Sequence, residues 1–183
     1  MKKLLIILCA AAMLFSLCAC ELLDSLTEYG DVLVDAAEAN RNPGKIKTYS
    51  HAGVSFELPN SFLDFTGKEI AGDYPFLYAN DEIGILGIQE NKAEYEAVLG
   101  QTDLRGYAET IAELYELDTT VTEKDGFITF TYETESEGEM QTFVCVFYET
   151  DTDFWNIQGY CESDIYPLNE DDIWEYLTSA TID

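Results

Sequence analysis

The stretch between residues 120 and 161 constrains the fold most, because three runs of alternating apolar and polar residues follow one another there. The runs cover residues 120–133, 140–148 and 154–161, and polar turns at Glu137-Gly138 and around Asp151 separate them. Alternation with a period of two is typical of half-buried strands, and short turns join antiparallel neighbours. The sequence therefore predicts a three-stranded antiparallel meander.

A first turn centred on Glu137-Gly138 would set the register of the first two strands. It places Phe130 opposite Cys145. It also places Ile128 opposite Phe147. All four side chains are apolar, so we expect this face of the strand pair to form core.

The length of the second turn decides which later residues join that face. A five-residue turn around Asp151 places Trp155 opposite Phe147. The same register places Ile157 opposite Cys145. We therefore expect Trp155 and Ile157 to extend the same apolar layer.

Cys145 and Cys161 could form a disulfide if the protein is exported. In the predicted register Cys161 lies opposite Gln141, about four residues from Cys145, which is roughly 13 Å along the sheet. A disulfide needs Cα atoms within about 7 Å. Two buried free thiols are therefore predicted, unless a bulge or another register intervenes.

The rest of the chain after residue 45 combines strands and helices into one α+β domain. Predicted strands cover residues 53–59, 74–78 and 83–89, and predicted helices cover residues 93–99, 104–117 and 171–180. Gly100 is the expected end of the first helix. Thr102 or Asp103 can cap the second helix, and Asn169 the third. The helix residues expected to face the core are Leu104, Tyr107, Ile111, Leu114, Ile173, Trp174 and Leu177.

The N-terminal segment has the features of a secretory signal. Lys2 and Lys3 precede an apolar run over residues 4–17 that only Ser16 interrupts. This run is too short to span a bilayer, because a spanning helix needs about 20 apolar residues. We therefore expect the segment to be removed.

Leu17-Cys18-Ala19-Cys20 resembles the lipobox of bacterial lipoproteins, in which the cysteine after the cleavage site receives diacylglycerol. Cys20 is the predicted attachment residue. Cys18 fits poorly, because Leu17 would then stand where a small residue is needed, and Leu17 also disfavours ordinary signal cleavage. Two acyl chains give stable anchoring to a membrane. The predicted organisation is a signal peptide over residues 1–19, a lipid-attached tether over 20–44 and a domain over 45–183.

The tether is predicted to contain an amphipathic helix over residues 22–40. Its apolar stripe consists of Leu22, Leu26, Tyr29, Leu33 and Ala36. Gly30 weakens this pattern, and residues 40–44 should end the helix. The stripe could contact the domain, a partner or a second copy of the chain. Its polar face is acidic, so we do not expect it to lie on the membrane.

Charge excludes several classes of partner. The chain has 9 Lys and Arg against 36 Asp and Glu, a formal charge of −27. A nucleic-acid partner is not expected, since binding to phosphates requires cationic side chains. An anionic bilayer surface would repel the domain as well. Disorder is also excluded, because 47% of the residues are hydrophobic and 13% are aromatic.

The opening strand Gly53-Val54-Ser55-Phe56-Glu57-Leu58-Pro59, a mid-chain helix, the meander and a last helix ending near Ile182 together resemble the PsbP-like superfamily. The resemblance covers roughly residues 48–183. This superfamily includes the photosystem extrinsic protein P, a eukaryotic Ran-binding protein and many small bacterial lipoproteins. The resemblance implies an antiparallel sheet with helices on both faces. It also implies a binding or assembly role without a shared catalytic site, so no functional residue is carried over.

Residues suited to catalysis are scarce. His51 is the only histidine of the chain, and it precedes the predicted strand at 53–59. A Ser-His-Asp or Cys-His arrangement would have to use it. Zinc sites need closely spaced nitrogen and sulfur ligands, and only His51, Cys145 and Cys161 would remain after processing. We expect no enzymatic activity, no cofactor and no metal centre.

The leading hypothesis is a non-catalytic lipoprotein on the outer face of a bacterial membrane that binds a protein or another envelope component. It could bind through a sheet edge or through Tyr74, Phe76 and Tyr78, although core positions are the favoured interpretation of these three aromatics.

The alternative hypothesis is a calcium- or glycan-binding protein that acts through its carboxylates. Its candidate residues form three acidic clusters: Glu133, Glu135, Glu137 and Glu139; Asp151 and Asp153; and Glu170, Asp171 and Asp172. The turns that carry these clusters would have to approach one another.

Overall fold

The computed structural model describes residues 29–42, 44–136 and 138–183. The α-helices of this part are α1 (Gly30–Arg41), α2 (Lys92–Leu99), α3 (Leu104–Leu114) and α4 (Tyr166–Thr178), and a short 3₁₀ helix covers Glu69–Ala71. The strands are β1 (Ile46–His51), β2 (Val54–Pro59), β3 (Leu63–Asp64), β4 (Leu77–Ala79), β5 (Gly84–Asn91), β6 (Thr122–Lys124), β7 (Phe127–Ser136), β8 (Glu139–Glu149), β9 (Asp153–Glu162) and β10 (Thr181–Ile182). The fold is α+β, as predicted.

A seven-stranded antiparallel sheet, in the order β3-β4-β5-β9-β8-β7-β6, forms the centre of the fold. The predicted meander is present as β7, β8 and β9. In its first hairpin Phe130 pairs with Cys145, and Ile128 pairs with Phe147. Both pairs agree with the prediction.

The register between β8 and β9 differs by one residue from the prediction. Trp155 pairs with Tyr148, and Ile157 is shifted in the same way. The turn closes over Asp151-Thr152 rather than over five residues. Successive side chains of a strand point to opposite faces, so a shift of one residue moves each of them to the other face. Trp155 and Ile157 therefore lie on the face opposite Cys145, and the prediction for these two residues is wrong.

Different elements cover the two faces of the large sheet. The α3 face packs against α2 and α3 and carries Phe130, Cys145, Phe147 and Phe154. The α4 face packs against α4 and a second sheet and carries Val144, Val146, Trp155 and Ile157. Helices therefore flank the sheet on both faces, as the resemblance implied.

The second sheet is three-stranded and antiparallel, in the order β1-β2-β10. Its central strand, β2, was predicted, and the side chains that it buries are Val54, Phe56 and Leu58. β1 and β10 were not predicted. His51 ends β1 instead of lying in a loop. Ile182 belongs to β10 and not to the last helix.

Residues 120–133 form two strands rather than the one predicted. Asp125 and Gly126 both have positive φ, 54° and 87°, and Lys124 pairs with Phe127 across them. Asp-Gly pairs favour this type I′ turn, because their backbones tolerate positive φ. The turn folds β6 back along β7 and makes β6 an edge of the large sheet.

The elements between β3 and β6 follow the prediction with shifted ends. β4 begins at Leu77, later than predicted, and β5 extends to Asn91. Gly100 ends α2, and the Asp103 carboxylate caps α3, as predicted. Leu114 closes α3 and is 64% exposed, so its predicted core position is wrong.

α4 begins earlier than predicted. Its first residue is Tyr166, and Pro167 follows in the first turn, where a missing N–H costs no hydrogen bond. Asn169 is therefore inside the helix and is not its cap. Its side chain is buried and donates to the carbonyl of Ile165.

α1 corresponds to the second half of the predicted tether helix, whose Leu22 and Leu26 lie outside the described residues. Val32 is 7% exposed, whereas Leu33 is 55% exposed. The predicted stripe is therefore wrong here, because α1 packs next to β3 through a different face. α1 ends at Arg41, within the predicted stop. None of the described helices is long and apolar enough to cross a membrane.

Candidate functional site

A groove of about 330 Å³ lies between α4 and the β6–β7 hairpin. Threonines dominate its lining, namely Thr119, Thr120, Thr122, Thr129 and Thr131. We call it the threonine groove. Small-molecule sites have volumes of about 300–1,000 Å³, so the groove is large enough for a ligand.

α4 forms one wall of the groove. The residues it contributes are Tyr166, Glu170 and Trp174, which follow one another at intervals of four. Side chains at this spacing lie on the same face of a helix. Ile173 and Leu177, on the neighbouring stripe, are fully buried against the large sheet. Their packing holds the wall residues along the groove.

The floor of the groove is the α4 face of β7 and β6. Thr129 and Thr131 flank Phe130 in β7, so their side chains point away from α3. Thr122 of β6 pairs with Thr129 and extends this row of hydroxyls. α4 packs across β8 and β9, which leaves this edge of the sheet open to form the groove.

The β6–β7 hairpin holds the indole ring of Trp174 in one orientation. Its Nε1 donates to a carboxylate oxygen of Asp125 at 3.2 Å. The ammonium group of Lys124 lies 4.3 Å from the ring centroid. The ring of Phe127 meets the indole edge-on, with centroids 6.2 Å apart. Three contacts from one hairpin therefore orient a single aromatic side chain of α4.

The phenol of Tyr166 belongs to the same wall. Burial raises the pKa of Tyr166, and the nearby Glu170 carboxylate raises it further, while a hydrogen bond with Thr131 acts in the opposite direction. The phenol is therefore protonated at neutral pH. It can donate one hydrogen bond and accept others.

The groove provides hydroxyl groups, but its described lining does not pair a nucleophile with a general base. Its described lining contains one carboxylate, Glu170, and one ammonium, Lys124, and neither histidine nor cysteine. Nucleophilic catalysis requires a base within hydrogen-bonding distance of the nucleophile. His51 is exposed and belongs to the other sheet. The arrangement is suited to binding.

The three aromatics considered for binding do not form one exposed surface. Phe76 and Tyr78 are fully buried, and their rings stack with centroids 5.5 Å apart. Tyr74 is 44% exposed. Core positions are therefore confirmed for Phe76 and Tyr78 but wrong for Tyr74.

Cys145 and Cys161 are buried free thiols, as predicted. Cys161 pairs with Thr142 rather than with Gln141. The two thiols consequently lie on opposite faces of the sheet. Burial raises the pKa of Cys145, and burial together with nearby carboxylates raises that of Cys161 to about 11. Neither thiol is ionised at neutral pH, which makes both poor nucleophiles.

The acidic turns are far apart. Glu133 and Glu135 lie near one end of β8, and Asp151 and Asp153 follow its other end. β8 has eleven residues, so its two ends lie roughly 33 Å apart at about 3.3 Å per residue. The first two acidic turns therefore do not approach one another, as the alternative hypothesis would require. Of the third cluster, Glu170 lines the threonine groove.

No metal centre is formed by the described residues. Across residues 29–42, 44–136 and 138–183, no three acidic, histidine or cysteine side chains are placed to hold an ion. Cys20 lies outside the described residues, and lipid attachment to it stays a prediction.

Trp174 was expected in the core, whereas it is half-buried at the wall of the groove. Two signals in the sequence could have indicated the wall and the floor of the groove. One is the interval of four between Tyr166, Glu170 and Trp174; the other is the alternation of threonines before and after the Asp125-Gly126 turn. The two signals are far apart in the sequence, and only the fold brings them together.

Several solved structures are similar in fold. The cyanobacterial PsbP (CyanoP) of Synechocystis sp. PCC 6803 is 10% identical with a TM-score of 0.49, and the match covers 76% of this chain and 94% of that one. The Ran-binding protein Mog1p of Saccharomyces cerevisiae is 10% identical with a TM-score of 0.47, over 75% and 95% of the two chains. LpqN, involved in cell envelope biogenesis of Mycobacterium tuberculosis, is 13% identical with a TM-score of 0.47, over 80% and 95%. No protein-family model and no curated protein sequence matches the chain.

Proposed function

We propose that this protein is a non-catalytic binding protein, tethered through a lipid on Cys20 to the outer face of a bacterial membrane, that holds an envelope component in the threonine groove. The observation that carries the proposal is the groove itself. It combines a row of threonine hydroxyls with the indole of Trp174, which is held in place. Its described lining does not pair a nucleophile with a general base. Concave sites with an aromatic wall and a few placed polar groups are typical of ligand binding.

The anchoring part of the proposal rests on the N-terminal sequence. Leu17-Cys18-Ala19-Cys20 follows a charged and then an apolar segment. A diacylglyceryl group carries two acyl chains, which are enough for stable attachment. The formal charge of −27 opposes contact between the domain and anionic lipids. The domain is therefore expected to stand off the membrane, with its groove accessible.

Fractionation and lipid labelling test the anchor. In a bacterial host fed a clickable palmitate analogue, the wild-type protein should be labelled and should sediment with membranes. Cys20→Ser should lose both properties, because it removes the thiol that would carry the lipid. Cys18→Ser is the matched control and should keep both. A Cys20→Ser protein that is still labelled would contradict the anchor.

Crosslinking in intact cells tests the groove. A photoreactive amino acid replaces Thr122, which lines the groove, or Thr134, which lies on the α3 face of β7. The proposal expects a discrete adduct with an envelope component from position 122 and none from position 134. Equal adducts from both positions, or none from either, would show that the groove is not the binding site.

A further inference from the structure

We infer that the ligand of the threonine groove is an uncharged carbohydrate, a short oligosaccharide segment that bonds to the threonine hydroxyls beside the indole of Trp174. This inference rests on the proposed function and names the ligand class of the same site. It differs from the glycan binding considered from the sequence, because that alternative relied on the carboxylates of the acidic turns.

The groove has few charged groups and is close to neutral, although the protein as a whole is strongly acidic. The chain carries 36 acidic and 9 basic residues. The described lining contains Glu170 and Lys124, one charge of each sign, and the Asp125 carboxylate that accepts from Trp174 adds one negative charge beside it. A cationic ligand would be drawn more strongly to the acidic turns, and an anionic one would be repelled by the surrounding surface. The groove therefore favours an uncharged ligand that is rich in hydrogen-bonding groups.

Two threonine hydroxyls of the groove are oriented as acceptors. Thr119 Oγ1 donates to the carbonyl of Thr131 at 2.6 Å. Thr122 Oγ1 donates to the carbonyl of Thr129 at 3.4 Å. A hydroxyl has one hydrogen and two lone pairs, so both oxygens can still accept hydrogen bonds from a ligand. Carboxylates and phosphate esters bring mainly acceptors, whereas sugar hydroxyls supply the required donors.

The indole supplies the apolar part of the site. Sugar rings present C–H groups that pack on flat aromatic side chains, and Trp offers the largest such surface. Trp174 is oriented by Asp125 and Phe127 before a ligand arrives, which reduces the entropy lost on binding. Lys124 covers the indole at 4.3 Å. Its long exposed side chain can move aside when a sugar ring enters.

Tryptophan fluorescence can test this ligand class directly. The chain has two tryptophans. Trp155 is 2% exposed in the core, whereas Trp174 lines the groove. Full-length protein in detergent micelles is titrated with three neutral trisaccharides (maltotriose, cellotriose and triacetylchitotriose) and with two charged ones (trigalacturonate and a chitosan trimer). We expect a saturable emission change with at least one neutral trisaccharide, little affected by salt. Trp174→Phe should abolish the change.

Thr131→Val and Thr134→Val form a matched pair of variants. Each replaces a threonine of β7 by a residue of similar shape, on the α4 face and the α3 face respectively. Thr131→Val should weaken binding about three- to tenfold, the effect of one hydrogen bond. Thr134→Val should leave it unchanged. If Thr131→Val unfolds, Thr122→Val at an exposed position of β6 replaces it and should show the same loss.

Three outcomes would overturn the inference, and they separate it from the proposed function. A response to the chitosan trimer alone that disappears at high salt would indicate that this cationic saccharide binds to the acidic surface of the protein through charge and not to the groove. No response to any saccharide, with the crosslink from position 122 retained, would refute the carbohydrate class and leave the binding function in place. Loss of both the response and the crosslink would refute the two together.

Discussion

Two glycines of β5 lie directly beneath aromatic rings, one from the residue that precedes β4 and one from β9. A Cβ atom at Gly87 would overlap the ring of Phe76, and one at Gly84 would overlap the ring of Tyr160. A glycine in a strand often marks such a close approach. The Phe76 ring is fully buried and stacks on Tyr78, so it has no space into which it could move. Gly87 is therefore a position where the size of a single side chain limits stability.

Gly87→Ala should lower the free energy of unfolding by about 1–3 kcal/mol, the usual cost of overpacking a core. Urea denaturation followed by circular dichroism measures this loss. Gly30→Ala is the control, because no atom lies within 4 Å of a Cβ there and alanine favours the helix that begins at this residue. Equal losses in the two variants would contradict the packing argument.

Buried phenols and thiols should make stability depend on alkaline pH. The pKa of Cys161 is raised from 9.0 to about 11, and that of Tyr49 from 10.0 to about 12, in both cases mainly by burial. A group whose pKa is raised in the folded state contributes fully to stability below the pKa that it has in the unfolded state. This contribution to stability is lost as the pH rises through the pKa of the folded state. The urea midpoint should therefore be steady up to about pH 9 and fall between about pH 9 and 12.

Cys161→Ala tests the thiol's share of that decline. The variant should have a lower midpoint at neutral pH, because it leaves a cavity. Its midpoint should fall less steeply between about pH 9 and 11, since the titrating group is gone. A slope as steep as that of the wild-type protein would show that the thiol does not contribute.

Two tight hairpins place residues at positive φ. Ala52 and Gly53 join β1 to β2 with φ of 51° and 81°, and Asp125 and Gly126 join β6 to β7 in the same way. The left-handed conformation costs an alanine roughly 1–2 kcal/mol, whereas asparagine and aspartate adopt it more readily. Ala52 is therefore strained, while Asp125 suits its turn.

Ala52→Asn should raise the free energy of unfolding by roughly 0.5–1 kcal/mol in urea denaturation. Asp125→Ala makes the reverse change at the equivalent position and should destabilise the protein. It also removes the acceptor for Trp174, so tryptophan emission should change as well. A destabilising Ala52→Asn would contradict the assignment of strain to this turn.

Strong alternation and turn residues predicted β8, β9 and β2, and also the pairing of β7 with β8, because each of these strands carries its own pattern. The predicted register of the β8–β9 hairpin was wrong because the turn sequence Thr-Asp-Thr-Asp is compatible with several turn lengths. A difference of one residue moves each side chain of β9 to the other face of the sheet. β1 and β10 have weak patterns and exist because β2 offers two edges for pairing. The Asp125-Gly126 pair was a usable hairpin signal inside a run that was interpreted as one strand.

The threonine groove could not be predicted as a site. Its floor and its wall come from segments that are separated by two strands, and the cavity exists because α4 crosses β8 and β9 and stops short of β7. That crossing depends on how Ile173 and Leu177 pack, which is a property of the folded core. By contrast, the scarcity of catalytic residues follows from composition, because a single histidine limits acid–base chemistry.

The whole molecule carries a formal charge of −27, which should destabilise it through self-repulsion at low salt. Salt screens this repulsion, since the Debye length falls from about 30 Å at 0.01 M to about 8 Å at 0.15 M. We therefore expect the thermal midpoint to rise by several degrees over this range of sodium chloride, measured by scanning fluorimetry. A constant or falling midpoint would show that charge repulsion does not limit the thermal stability of the protein.

The same assay separates screening from specific calcium binding. Calcium and magnesium chloride at equal concentration should raise the midpoint equally, because the described residues form no cluster that could hold an ion. A ligand that binds only the folded state would raise it further. A selective rise with calcium would therefore indicate specific binding of this ion rather than screening.

The place of β10 has a consequence for the order in which the protein can fold. β2 lies between β1, its neighbour along the chain, and β10, whose Thr181 pairs with Ser55. The N–H of Asp183 then donates to the carbonyl of Gly53 at 2.9 Å. An emerging chain can form the β1–β2 hairpin early, but the α4 face stays open until α4 and β10 have been made. If the protein is exported as proposed, we expect such a chain to remain loosely folded while it crosses the membrane and to close on the far side, as translocation in an extended form requires.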